Sequence, residues 1–480
     1  MKGYVIPLVF AIEFLTGCAI GPNYQRPTLV VPKTYRGQID PSEAASLADL
    51  PWWAVFQDDT LKSLIEEALK NNYDLRTAAA RVEQAQALAG VARSEFFPQI
   101  GYESGVGQAH AAGQFFLPAL PGQTIDVFSG RFNLAWEFDV WGRIRRSNEA
   151  ALAELFATEE FRRAVIVTLV SEVAQAYFEL RELDLEVEIA RGTTESFQRT
   201  LDLFTRRLEL GVASKLETAR AEAALATTAA TIPNLERRIV AQENLISVLL
   251  GRNPGPIPRG APLGDQGLPP ATPPGLPSQL LERRPDIRQA EQTLVAANAA
   301  VGVAEANFFP QIELTSLYGG VGTEIETVVK GKGNIWTLIG HLSGPLIQGG
   351  RTYETYRAAV AQWEQAKLQY EQAVLKAFQE VSNALTDQQK FAEVQEELTR
   401  AVVALQESVR LATLRYAGGF ATYLEVIEAQ QQLFPTQIAL TLIQRDQLIA
   451  VVQLYKALGG GWSAYAASPT LPPLWHVVLP

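Results

Sequence analysis

The feature that most constrains this chain is an internal duplication. Residues 90–100 read GVARSEFFPQI and residues 302–312 read GVAEANFFPQI, eight identities in eleven positions at an offset of 212. Farther on, Arg207–Glu217 (RLELGVASKLE) aligns with Arg415–Glu425 (RYAGGFATYLE) at an offset of 208, a register that continues to Leu250-Gly251 and Leu458-Gly459. Trp141-Gly142-Arg143 falls opposite Gly349-Gly350-Arg351 at the same offset. Three ordered matches across both halves mean that whatever one half folds into, the other half folds into again. The drop in offset places a small length difference after FFPQI.

The boundary between the halves is compositional. Residues 253–277 hold nine prolines and five glycines, too many for a helix to continue, so this stretch should run extended over the surface. The expected organisation is a signal peptide at 1–17, an irregular N-terminal segment at 18–58 and a first repeat at 59–251. A linker at 252–284, a second repeat at 285–460 and a tail at 461–480 complete it.

Within the repeats, no proline occurs from 122 to 232 or from 346 to 434. Inside these windows lie 143–209 and 351–417, each 67 residues of mostly Ala, Leu, Glu, Gln and Arg, the strong helix formers. As single helices each would be roughly 100 Å long, far beyond the globular mean of about 12 residues, so they read as staves of a coiled-coil or barrel. Gly192 is a candidate break in the first. Shorter helical patterns cover about 60–95 and 213–250, then about 286–307 and 421–458, with Pro233 and Pro435 placed to bend two of them.

Between FFPQI and each long helix the period switches to two. In 126–139, Phe128, Phe132, Leu134, Trp136 and Phe138 fall on one face and Ser129, Arg131, Asn133, Glu137 and Asp139 on the other. In 99–108, Ile100, Tyr102 and Val106 oppose Gly101, Glu103 and Gly105. In 311–321, Ile312, Leu314 and Tyr318 share a face with Ser316 and Gly320, and in 334–343, Trp336, Leu338 and Leu342 share one. Each run has the length of a tilted transmembrane strand. A sheet in lipid must close on itself, and closed barrels begin at about eight strands. Four strands per chain therefore require several chains to share one barrel.

The N-terminus sets the compartment. Residues 2–18 read KGYVIPLVFAIEFLTGC, a charged start, a short apolar run and small residues before the chain's only cysteine. That is the layout of a secretory signal ending in a bacterial lipobox, Leu15-Thr16-Gly17-Cys18, so Cys18 is the expected lipidation site, anchoring the protein without spanning the bilayer. Ala19 after it favours export to the outer membrane. One cysteine leaves no internal disulfide, and His110, His341 and His476 show no metal-ligand spacing. The net charge of −11 argues against a nucleic-acid surface. There is no GxxxxGK[ST], GxSxG or HExxH motif to recommend an enzyme.

Taken together, the lipobox, the repeated FFPQI, the WGRIR and GGR helix starts and the tips GVASKLE and GFATYLEVIEAQQ resemble the outer-membrane factor family. These are the TolC-like channels of tripartite efflux pumps, here their lipoprotein, NodT-type branch, and the resemblance runs from Cys18 to Gly461. It implies a mainly α fold with a small transmembrane β part. It implies a homotrimer, with a 12-stranded β-barrel in the outer membrane and a 12-helix α-barrel reaching into the periplasm. The implied partners are a periplasmic adaptor (membrane fusion) protein, an inner-membrane pump of the RND type and outer-membrane lipid. No cofactor is implied beyond the covalent lipid on Cys18. By the same resemblance, Gly211, Val212, Ala213 and Ser214, with Gly419, Phe420, Ala421 and Thr422, are helix tips that dock the adaptor. Leu424, Glu425 and Glu428 correspond to the constriction of the tunnel, where rings of like charge would favour cations. A lipid-anchored periplasmic coiled-coil scaffold is the competing reading; it leaves the alternating hairpins without a purpose.

Overall fold

The recurrence of FFPQI has a local cause. In both repeats a helix must stop and a strand must start within a few residues. A tight turn closes the preceding helix, with Phe97 N donating to Ser94 O at 3.1 Å and Phe309 N to Ala306 O at 3.0 Å. Pro98 and Pro310 then bar any further helical hydrogen bond. The motif is also a docking point. The Trp136 indole donates to Phe96 O at 3.0 Å and the Trp141 indole to Pro310 O at 2.7 Å. Trp141 stacks on Phe309 with ring centroids 4.9 Å apart.

The computed structural model describes residues 19–38, 46–110, 124–267 and 274–460. The first repeat contains α1 (Asp59–Asn71), α2 (Tyr73–Ser94), β1 (Gln99–His110), β2 (Thr124–Phe138), α3 (Arg143–Glu209), α4 (Lys215–Ala229) and α5 (Thr231–Leu249). The second contains α6 (Pro285–Ala306), β3 (Gln311–Gly322), a short α7 (Ile325–Val329), β4 (Asn334–Ser343), α8 (Arg351–Ala417) and α9 (Tyr423–Ala457). Both 67-residue helices are unbroken, and α3 continues through Gly192, beside which a side chain would meet nothing.

Two expectations for the shorter helices need correcting. The pattern at 60–95 is two helices, because Asn72 ends one and begins the next. Its Oδ1 accepts from Leu75 N at 3.0 Å while its Nδ2 donates to Leu249 O at 2.9 Å. The pattern at 213–250 is also two, α4 and α5, with the break at Ala230. Pro233 therefore sits in the first turn of α5, where its missing N–H costs nothing, whereas Pro435 does lie inside α9.

The entry to each long helix is fixed by its junction residues. At α3, Gly142 takes φ +82, and β2 ends one residue earlier than the alternation suggested because Asp139 is drawn into the helix start. Its carboxylate accepts from Ile144 N at 3.0 Å and Arg145 N at 2.9 Å, a cap contributing about 1 kcal/mol. At α8 the turn uses Gly349 and Gly350, at φ +60 and +89.

The chain divides into two compact units, each drawing on both repeats. Of the described residues, one comprises those up to Thr28, within Arg81–Glu159 and Gln289–Glu371; the other comprises those within Leu29–Ala80 and Glu160–Arg288 and from Gln372 on. The first holds a four-stranded antiparallel sheet in the order β1-β2-β3-β4. The second is helical. Its core packs Phe56 against Phe178 and Tyr455, and Leu183, Val187 and Ala190 against Leu235. Among the described residues no helix is long and apolar enough to cross a membrane.

Candidate functional site

The sheet converts four separate alternations into one surface. Registered neighbours point the same way, and the register lines up Tyr102, Phe132, Tyr318 and Trp336 across all four strands. Ile100, Leu134, Ser316 and Leu338 form a second row on that face, and Phe138, Ile312 and Leu342 a third. The first row is bare among the described residues: Tyr102 is 82% exposed and Trp336 72%. The opposite face carries Glu103 and Arg131, paired at 2.6 Å, with Asn133 and the row Glu137–Glu313–His341. Among the described residues the sheet is also unclosed, since β1 and β4 each pair on one side only. An open edge and a bare aromatic row are both costly in water.

The two helix turns, Gly211–Ser214 and Gly419–Thr422, fold alike. At the first, Val212 N donates to Arg207 O at 2.9 Å and Gly211 N to Leu208 O at 2.9 Å. At the second, Phe420 N donates to Arg415 O at 2.9 Å and Gly419 N to Tyr416 O at 3.1 Å. Both are Schellman turns requiring a left-handed residue, supplied by Gly211 and Gly419, each at φ +75. In both, the glycine and its successor (Val212, Phe420) are exposed, the alanine (Ala213, Ala421) is half-buried and the hydroxyl residue (Ser214, Thr422) is exposed.

The turns differ in how the next helix begins. Ser214 and Glu217 form a reciprocal capping box, with Ser214 N donating to Glu217 Oε2 at 2.8 Å. At the equivalent place Thr422 makes no side-chain cap, and Glu425 instead lies 3.8 Å from the Arg415 guanidinium. Leu424, Glu425 and Glu428 all lie on the exposed side of α9. The opposite side, with Tyr423, Val426 and Ile427, packs on Phe204, Ala221 and Ala412. Leu424 also edges a groove of about 560 Å³ between α3, α4 and α9, whose walls include Phe197, Ala224, Thr228 and Phe434. Cys18 lies outside the described residues.

The profile of the family described as "Outer membrane efflux protein" matches residues 64–252 and 276–460, one segment for each repeat. The chain belongs to that family. This efflux protein is 32% identical over 464 residues to the cation efflux system protein CusC of Escherichia coli (strain K12), an alignment covering 95% of this chain and 99% of the relative. It is 33% identical to the toluene efflux pump outer membrane protein TtgF of Pseudomonas putida, covering 98% and 99% of the two chains. The solved outer-membrane channel OprN superposes with a TM-score of 0.86 at 30% identity, covering 93% of this chain and all of that one. The efflux protein is accordingly an outer-membrane channel protein.

Sequence reasoning missed what ties the efflux protein's two tips together. Phe204 of α3, Tyr416 of α8 and Tyr423 of α9 form an aromatic cluster, with centroid separations of 4.3 Å for Phe204–Tyr423 and 5.4 Å for Tyr416–Tyr423. The Arg207 guanidinium donates to the Tyr416 hydroxyl. The one available signal was the alignment of Arg207 with Arg415, two arginines at equivalent tips. A second missed feature is a buried charged group. Glu182 and Glu186 on α3 face Arg238 of α5 and Arg445 of α9, with Arg238 3.2 Å from Glu186 and Arg445 3.2 Å from Glu182. Glu182 is 1% exposed. Burial first, then the neighbouring Glu186, pushes its carboxyl up to about 7.

Proposed function

We propose that three copies of this efflux protein close one 12-stranded barrel in the outer membrane, continued into the periplasm by a 12-helix tunnel. The assembly serves as the passive exit duct of a tripartite efflux system. The observation that carries this reading is the sheet itself. Among the described residues it has two open edges, an apolar face with an exposed aromatic row, and a polar opposite face holding the Glu103–Arg131 pair. In a barrel shared among copies, β4 of one chain pairs with β1 of the next, the apolar rows meet lipid and the charged rows meet a water-filled lumen. The family resemblance supplies the number three.

On this reading the turns at Gly211–Ser214 and Gly419–Thr422 dock a periplasmic adaptor, which joins the tunnel to an inner-membrane pump of the RND type. Leu424, Glu425 and Glu428 form the constriction, and a covalent lipid on Cys18 adds an anchor. Opening is a shift between packed states of the tips rather than chemistry, and the energy comes from the pump. The two relatives, about equally similar, are named for cations and for toluene. That fits a duct whose cargo is chosen by the pump.

The test is single-channel conductance of the purified protein in a planar bilayer, native against Glu428→Ala. Small cation-selective currents that grow or lose selectivity in the variant support both pore and constriction. Unchanged currents keep the pore and move the constriction elsewhere. A folded, membrane-extracted oligomer that forms no channels sinks the duct and favours the scaffold.

A further inference from the structure

The five-residue helix α7, in the β3–β4 connection, is seated in an unexpected place. It lies over Gly130, Gly320 and Gly322. A Cβ on Gly320 would stand 3.2 Å from Val328 Cγ1, and one on Gly322 would stand 2.9 Å from Thr327 Cβ. These three glycines share the face of Phe132, Tyr318 and Trp336, because they occupy same-parity positions of the same registered strands. The helix therefore rests on the apolar face and not on the charged one. Glycine makes the seat, since a side chain at 322 would force Thr327 to shift and one at 320 would crowd Val328.

The height of the seat follows from the register. From the Phe138–Ile312 pair to the Phe128–Gly322 pair is ten residues along β2. At about 3.4 Å per residue and a tilt of about 40°, that rise is roughly 26 Å, the height of the apolar band of an outer-membrane barrel. The α3 and α8 helices leave the sheet at the Phe138–Leu342 end, so α7 sits at the opposite end of the strands. It covers the middle strands β2 and β3 rather than the open edges, and so does not obstruct pairing with another copy. The side of α7 turned away from its seat carries Ile325, 62% exposed, and Val329, 78% exposed. Charge is segregated along the connection, with Glu324 and Glu326 at the start of α7 and Lys330 and Lys332 after it. Lys330 pairs with Glu326.

We propose that α7 is a lipid-contacting foot for the outer leaflet, with Ile325 and Val329 entering the acyl layer and Lys330 and Lys332 meeting the phosphates of lipid A, the phosphorylated glycolipid of that leaflet. The inference rests on the barrel reading above. Its basis is continuity. A helix seated on the lipid-facing side of central strands, at the upper margin of the apolar band, has the outer leaflet as its neighbour. A short apolar face with lysines grouped at one end is suited to an anionic interface at that end.

The experiment uses the full-length oligomer in phosphatidylcholine vesicles with or without lipid A, comparing wild type, Lys330→Gln/Lys332→Gln and Ile325→Ser/Val329→Ser. The readout is the heat-dissociation midpoint of the oligomer, with phosphatidylglycerol as an anionic control. Lipid A is expected to raise the wild-type midpoint by about 3 °C or more, phosphatidylglycerol by less, and the lysine variant by neither. The serine variant should lose stability in every vesicle. An equal lipid A effect in the lysine variant overturns the proposal, as does an equal effect of phosphatidylglycerol. Conductance separates the two levels. Channels retained in both variants confine a failure to α7, whereas absence of channels in wild type overturns the barrel and the foot together.

Discussion

Tyr416→Phe is the sharpest probe of how the tips are held. The Tyr416 hydroxyl accepts from the Arg207 guanidinium, joining α3 to α8 across the turn region. The substitution removes one oxygen and keeps the ring, which lies 6.1 Å from Phe204 and 5.4 Å from Tyr423. Hydrogen bonds to charged groups contribute about 1.5–3 kcal/mol, and a half-buried site belongs near the lower end. Any rearrangement that draws α8 and α9 away from α3 must break this bond. Its loss should therefore shift the balance toward separated tips by about 1.5 kcal/mol, about tenfold in population. The assay is open probability of single channels in a planar bilayer. Arg207→Gln should give a similar rise, and the double variant should add little to either, because both remove the same interaction. An open probability within about twofold of wild type, or a fall, would refute the claim that this bond holds the tips packed. Additive effects of the two variants would show that they act separately.

Other consequences follow from the same structure. Gly419→Ala should cost about 1–2 kcal/mol through backbone strain alone, because Gly419 is at φ +75 with nothing within 4 Å of an added Cβ; faster proteolysis at residues 417–423 measures it. Asp58→Ala should destabilise the helical unit by about 3–5 kcal/mol. Its carboxylate accepts from Thr60 N, Tyr177 OH, Ala261 N and Gln266 Nε2 at 2.8–3.1 Å, and heat denaturation followed by circular dichroism reads the loss. Burial alone would raise the Asp58 carboxyl, but the bonds from Gln266, Tyr177, Leu61 and Thr60 outweigh it and lower it. Its stabilisation is therefore present above the ordinary carboxylate range and is lost as pH falls through the depressed folded value. Glu182 has the opposite sign. Its contribution is full below the ordinary glutamate range and is lost as pH rises toward about 7. Glu182→Gln should flatten that decline in a melting series from pH 5 to 8, and an unchanged slope would move the titration elsewhere.

Much of this architecture is legible in one sequence because it is encoded locally. Alanine- and leucine-rich stretches without proline become helices wherever they lie, and alternation in DVFSGRFNLAWEF marks a strand before any partner is known. The turn glycines were legible for the same reason, since a left-handed residue after a long helix admits few side chains. The missed helix break at Asn72 was legible in principle, as Asn72 is a capping residue inside an otherwise continuous pattern. The tip lock was not. Arg207 and Tyr416 are 209 positions apart, and neither residue type is unusual where it stands.

The sequence alone therefore determined the duplication, the helices and strands, and which residues of each strand share a side, because backbone preference and side-chain period act over a few residues. Only the tertiary structure decided that the four apolar sides would fuse into one face, because that depends on strand register, which loops and junctions set. Tertiary structure likewise decided that Asp58 would gather Tyr177, Ala261 and Gln266, that Glu182 would be buried between two arginines, and that α7 would sit on glycines of strands β2 and β3. Each of these joins groups distant along the chain, and the burial that makes them matter exists only once the chain has closed around them.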